Sequence, residues 1–294
     1  MKNGIVRFVA FCLVLLMAGG FAMVFWGRPA VEEGFNGDRA YRDVLYQTSL
    51  GARTPGSTAH ESTVLYISRE LQNAGWRVEI QRVKKMGKTV TNLIARRSND
   101  PVQIILGAHY DSRMTADREL ELSLRDLPVP GANDGASGTA VLLELARTLP
   151  QDINKEIWLV FFDLEDQGQI NNWDWIIGSR AFVEQLETTP ASVVIIDMIG
   201  DSDLNIYREK NSDPELTSEI WNLAEELGYG HVFLDQPKYS ILDDHTPFLE
   251  KGIRAVDIID FDYPYWHTLS DTADKVSSRS LEIVGNVLLA WLTQ

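Results

Sequence analysis

Residues Ile157 to Phe162 form an unbroken apolar run rich in β-formers. A short run of this kind reads as a strand buried on both faces, and such strands belong to sheets covered by helices on either side. Gln103 to His109, Val193 to Ile196 and Ile253 to Ile259 have the same character, with helical patterns between them. Gly138 to Leu149 carries Val141, Leu142 and Leu145 at helical spacing, Gly178 to Leu186 follows the Ile157 run, Pro214 to Leu227 opens on a proline, and Ser280 to Leu292 closes the chain. Upstream, Thr58 and Glu61 have capping-box spacing ahead of Val64, Ile67 and Leu71, and this helix runs to about Gly75. Trp76 to Val83 and Thr91 to Arg96 then read as strands. The alternation predicts a three-layer α/β sandwich, a mostly parallel mixed sheet with helices on both faces.

The first 30 residues have a different character. Lys2 and Arg7 precede an uncharged stretch from Phe8 to Trp26, which as a helix is about one hydrocarbon thickness long. Residues 1–30 are therefore expected to be an N-terminal transmembrane anchor, or a signal segment cut near Gly20-Phe21-Ala22, with residues 31–294 forming one domain after a polar tether. Positive charge ahead of the span directs the rest of the chain outward. Together with the lack of any Asn-x-Ser/Thr acceptor, this leads to the expectation of a bacterial cell-membrane protein, single-pass with its domain outside the cytoplasm, or else a secreted one. Cys12, the sole cysteine, lies within the apolar stretch, so no disulfide can form in the domain.

Net charge is −15, from 27 basic and 42 acidic residues, and it is unevenly spread: the first 97 residues carry +7 and the remainder −22. That field excludes nucleic acid as a partner and suits a cation, either a metal ion or the protonated amine of a peptide. In a parallel sheet such ligands sit beyond the carboxyl ends of the strands. Those positions hold His109-Tyr110-Asp111-Ser112, Asp163-Leu164-Glu165-Asp166, Asp197 and, after the last run, Trp266-His267-Thr268. Between the first two lies Gly131-Ala132-Asn133-Asp134-Gly135-Ala136-Ser137-Gly138, an Asp in a tight turn opening a helix.

Two histidines and several carboxylates converging at one sheet edge would repel and lose solvation unless a cation stood among them. Imidazole with carboxylate and no thiolate points to zinc ahead of manganese or cobalt. Of the five histidines, His60 and His231 are expected at the surface, while Asp244 and His245 either serve function or cap the short helix that Thr246-Pro247-Phe248 begins. Glu165 and Asp166 are neighbours at a strand end, so their side chains are expected to diverge: with Asp166 on the metal, Glu165 remains a free carboxylate of raised pKa, fit to carry a proton.

These motifs, with Asp197-Met198-Ile199-Gly200, Asp243-Asp244-His245 and His267-Thr268, resemble those of the M28 zinc peptidases and the related glutaminyl-peptide cyclotransferases, in order from about Leu50 to the C-terminus. The resemblance implies one zinc held by Asp134, Asp166 and His267, and a second held by His109, Asp197 and the bridging Asp134. It also implies Glu165 as general base and acid, assisted by Asp243 and Asp197, and Trp266, Trp173 and Trp175 as walls of a substrate pocket. Where the family usually has Glu-Glu, this chain has Glu165-Asp166.

Two activities follow from the resemblance. Trp266 before His267, the Asp243 to Phe248 run, Gly51 to Ser57 and the segment bearing Trp173 and Trp175 resemble the cyclotransferases, which convert an N-terminal Gln to pyroglutamate and release ammonia. The turn Gly131 to Gly138, and Asp257 in place of a His, are more like an aminopeptidase. Either enzyme acts on the N-terminus of a peptide or small protein and uses one or two zinc ions. An inactive metal-binding ectodomain would have lost the base, whereas Glu165 is present.

Overall fold

The computed structural model describes residues 34–294. The expected membrane segment lies outside them, and among the described residues no helix is long and apolar enough to cross a membrane.

Strands β1 (Arg77–Lys85), β2 (Lys88–Arg96), β3 (Ile104–His109), β4 (Ile157–Phe162), β5 (Ser192–Asp197) and β8 (Ala255–Ile259) form one six-stranded sheet in the order β1-β2-β4-β3-β5-β8. The hairpin β1–β2 is antiparallel and pairs antiparallel with β4, while β4, β3, β5 and β8 run parallel. The sheet is thus mixed, with the four parallel strands together. Chain direction across the sheet reverses at β3, because β4 lies on one side of it and β5 on the other, and that reversal opens a crevice at the carboxyl end.

Period-two alternation sorts the parallel strands between two cores. Leu106, Leu159, Val194 and Val256 face one core, with helices α2 (Thr58–Asn73), α3 (Ala136–Thr148), α5 (Pro214–Glu226) and α7 (Ser278–Thr293). Ile105, Val160, Val193 and Ala255 face the other, against α4 (Ile177–Gln185) and α6 (Thr246–Glu250). A two-stranded parallel sheet, β6 (Ile206–Arg208) with β7 (Phe233–Pro237), stands apart.

Helix α1 (Gly37–Ser49) was not legible as an apolar pattern, because its buried face mixes Ala40 and Val44 with Gly37, Asp43 and Gln47. Asp43 pairs with Arg147 and accepts the Tyr66 hydroxyl, and the Gln47 amide donates to Ala136 O at 3.1 Å. The cap of α2 also differs from the expected one: Ser57, one residue earlier than Thr58, accepts from His60 N.

Candidate active site

Each candidate side chain reaches the crevice from a different element. His109 ends β3 and Asp197 ends β5. The β3–β5 register pairs Gly107 with Ile195, so two residues on, His109 stands beside Asp197 on the same face. Asp134 lies in the turn before α3. Gly135 there has φ +93°, and a Cβ on it would fall 2.5 Å from Asp111 O, so the turn requires glycine. Two groups clamp this turn from beneath. The fully buried Arg53 guanidinium donates to Tyr110 O, Pro130 O and Gly131 O, and the Asp271 carboxylate accepts from Asn133 N and Asp134 N.

Glu165 and Asp166 both border one cavity, though only Asp166 has an atom placed to join a metal-binding group. β4 ends at Phe162, and Leu164 at φ +55° breaks the strand alternation, so both side chains line one cavity. Asp111 builds that turn by accepting from Glu165 N (3.1 Å), Asp166 N (3.4 Å) and the Gln167 amide (2.9 Å). Met198, after Asp197, and His267 itself are also left-handed, at φ +47° and +57°. Backbone strain of this kind collects at functional sites and is held by surrounding contacts.

The donor atoms form two groups that share Asp134: His109, Asp134 and Asp197, and Asp134, Asp166 and His267, with ligand atoms in each group within 4.8 Å of one another. His109 Nε2 is 3.1 Å from both Asp134 Oδ1 and Asp197 Oδ1. His267 Nε2 is 2.9 Å from Asp166 Oδ1 and 3.8 Å from Asp134 Oδ2. Both rings turn Nδ1 to a carboxylate outside the groups, His109 to Asp111 at 3.5 Å and His267 to Asp117 at 3.1 Å. For His267 that hydrogen bond leaves Nε2 free for a metal and is the usual support of a metal-binding histidine, whereas His109 Nδ1 stops short of a hydrogen bond. Asp134 Oδ2 and Asp166 Oδ2 are buried without hydrogen bonds, as acceptors awaiting a cation would be. The residues therefore fit a divalent metal with nitrogen and oxygen ligands.

Crowding sets the protonation of the site. Burial raises Glu165 well above the usual carboxyl range, and Asp243, Asp244 and Asp166 add to the rise against the pull of His109. Burial likewise raises Asp166 to about 6 and Asp197 to about 7. For His267, burial opposes charge, but Asp166 and Asp117 outweigh it and lift its pKa to about 9.

The cavity beside these groups holds about 230 Å³ and is lined by Trp175, Tyr239, Ile241, Leu242, Asp243, Phe261 and Trp266 together with Asp134, Glu165, Asp166, Asp197 and His267. Trp266 packs on the His267 ring with centroids 3.9 Å apart, and the Trp175 ring lies nearly parallel to that of His267, at 6.1 Å and 14°. Trp173 is not among the lining residues: it packs against the small core of Val90, Leu164 and Ile177, with Lys88 5.0 Å over its ring. The turn Gln167–Trp173 carries three left-handed residues, Gln169, Asn171 and Asn172, and Ile176 beyond Trp175 is left-handed too.

His60 is buried, contrary to expectation, because the first turn of α2 meets Asp163 just beyond β4, with His60 Nε2 2.7 Å from Asp163 Oδ1. His231 is exposed. Asp244 and His245 are both fully buried; His245 takes the N-cap position of α6, but its side chain makes no capping hydrogen bond. The sequence reading missed Arg113 and Asp117. The Arg113 guanidinium donates to Asp166 O at 2.9 Å and Asp117 Oδ2 at 2.7 Å and lies 4.7 Å from the Trp175 ring centre. Its proximity to the His109 motif was the available signal; Asp117 lies in an irregular loop and offered none.

Similarity to known proteins agrees with this geometry. The chain resembles a solved glutaminyl cyclase from Porphyromonas gingivalis, at 29% identity and TM-score 0.84 over 88% of this chain and 98% of that one. It resembles a Zn-dependent exopeptidase from Parabacteroides distasonis at 27% identity and TM-score 0.83, over 89% and 99%. A glutaminyl-peptide cyclotransferase-like protein from Bos taurus is 23% identical, over 83% of this chain and 72% of the relative. The sequence pattern of peptidase family M28 matches residues 92–292, about two-thirds of the chain, and spans the site from just before His109 to beyond His267: the chain belongs to peptidase family M28.

Proposed function

We propose that this chain is a zinc-dependent glutaminyl-peptide cyclotransferase. The observation that carries the reading is one cavity lined both by Glu165 and Asp166 and by the aromatic rings of Trp175, Phe261 and Trp266. Such walls suit a compact five-membered ring and keep out the water that would divert the reaction to hydrolysis. The likeness to solved and curated cyclotransferases supports it.

Zinc held by Asp134, Asp166 and His267 would supply Lewis-acid polarisation of the Gln side-chain carbonyl. Glu165 takes a proton from the peptide's α-amine, whose nitrogen forms a bond to the side-chain carbonyl carbon. As the bond from that carbon to the amide nitrogen breaks, Glu165 delivers the proton and ammonia leaves. A carboxyl of raised pKa suits both roles, and the buried acids Asp243, Asp244 and Asp166 around Glu165 provide it. Trp266 and Trp175 orient the substrate.

The second group, His109 and Asp197 with the shared Asp134, favours the alternative of an aminopeptidase with two zincs, in which Glu165 would take a proton from water. A Gln-initiated peptide incubated with the zinc-loaded protein and followed by mass spectrometry separates the two. Loss of ammonia from an otherwise intact peptide is expected; release of a free first residue would replace this reading with the peptidase. Glu165→Gln should retain zinc and lose about 10²-fold or more in turnover. Lys2, Arg7 and the uncharged stretch 8–26 support attachment to a bacterial membrane with the enzyme on its outer side.

A further inference from the structure

Behind the cavity stands a set of acids around one histidine that this chemistry does not use. His245, at the foot of α6, and Asp257, in β8, are fully buried, and Glu209 nearly so. His245 Nε2 faces Glu209 Oε2 at 3.4 Å, and its Nδ1 faces Asp257 Oδ2 at 3.7 Å. Glu209 is fixed at its own end: it accepts from Asn211 N (2.9 Å), Ser212 N (2.7 Å), the Ser212 hydroxyl (2.9 Å) and Ile241 N (2.9 Å). The same hydroxyl oxygen accepts from Asp257 N at 3.1 Å, so one serine ties both ends of the set.

Asp257 pairs with Ile195 across the sheet, on the face that carries Asp197 two residues further along β5. Its carboxyl comes within hydrogen-bonding range of Asp243, which lines the cavity and bears electrostatically on Glu165. A continuous file of side chains, Glu209, His245, Asp257, Asp243, therefore runs from a main-chain anchor to the cavity wall. Neither ring nitrogen of His245 and neither Asp257 oxygen makes a close hydrogen bond within the protein. A buried polar set of this kind is poor value for stability alone, since apolar residues of the same volume do as well or better. Its use has to be sought in what it orients.

We propose that His245 is a positioning residue for the reaction: wedged between Glu209 and Asp257, it holds Asp257, and through it Asp243, in the orientation in which Asp243 faces the cavity it shares with Glu165. The inference rests on the reading of Glu165 as the proton-transfer group.

The test uses the zinc-loaded protein. His245→Gln should lower kcat about tenfold or more while KM stays within about twofold and zinc content is unchanged, as expected when orientation rather than binding is lost. That variant also leaves Glu209 without its partner and should lower Tm. Glu209→Gln/His245→Gln removes the unpaired charge, so Tm should recover while kcat stays low; recovery of kcat along with Tm would show a merely structural role and overturn the proposal. Asp257→Asn interrupts the file at its next member and should reproduce the low kcat, which keeps the proposal testable if His245→Gln does not fold. Wild-type kcat in every variant that folds would equally overturn it. Glu165→Gln distinguishes this inference from the reading beneath it: unchanged turnover there removes the role of Glu165, whereas lost turnover there with wild-type turnover in His245→Gln removes the inference alone.

Discussion

Asp134 turns one carboxylate oxygen to His109 and the other to His267, at 3.1 and 3.8 Å from their Nε2 atoms. It is the residue common to both donor groups, and its turn is clamped by Arg53 and Asp271. Asp134→Ala should therefore abolish tight zinc binding while the fold persists, since the clamps bind main-chain atoms. Zinc content by atomic absorption, alongside circular dichroism, measures this; wild-type metal content would refute the bridging role.

Asp117 orients His267 and is itself held by Arg113. Loss of such a carboxylate behind a metal-binding histidine typically costs 10–100-fold in affinity. Asp117→Asn is expected to weaken zinc binding by about that factor in a chelator competition, with little change in Tm because Asp117 is partly exposed.

Trp175 and Trp173 should separate by kinetics. Trp175→Ala removes a cavity wall and is expected to raise KM about tenfold, whereas Trp173→Ala, outside the cavity, should change KM less than twofold and lower Tm instead. A Cβ on Gly168 would lie 2.0 Å from the Trp175 ring, so Gly168→Ala should shift that ring and mimic its loss. Equal KM changes in the two tryptophan variants would contradict the arrangement.

Asp260 supplies a pH dependence away from the metal ligands. Burial raises its pKa to about 7, although its carboxylate accepts from Asn205 N and Asp262 N. The unfolded chain releases this proton near pH 4 and the folded one near 7, so the group's contribution falls as pH rises between them and is at its least favourable above pH 7. The full shift corresponds to roughly 4 kcal/mol as an upper bound. Asp260→Asn should flatten the loss of stability from pH 5 to 8, read from urea unfolding at each pH; a slope equal to the wild type's would show that Asp260 does not carry it.

The placement of the polar residues at strand ends was legible in the sequence because a parallel strand is a repeating object. Each apolar run must be buried on both faces, so the first polar residues after it emerge at one edge of the sheet, and His109 and Asp197 could be located before any contact was known. The same regularity marked α3 and α7, whose apolar stripes face the core, and it failed for α1, whose docking face carries Asp43, Arg39 and Gln47 beside Ala40 and Val44.

Where the backbone leaves its regular repeat, the tertiary structure decided. Leu164 in the left-handed region breaks the strand alternation ahead of Glu165 and Asp166, which both line one cavity, and of two tryptophans two residues apart Trp175 lines that cavity while Trp173 packs on a small core. His60 is buried by Asp163, 103 residues away, and Arg113 meets Asp166 across 53. Residue type and spacing determine which chemistry a chain can carry, through the periodicity of its strands and helices; which of two adjacent side chains carries it depends on turns and long-range contacts that have no period to read.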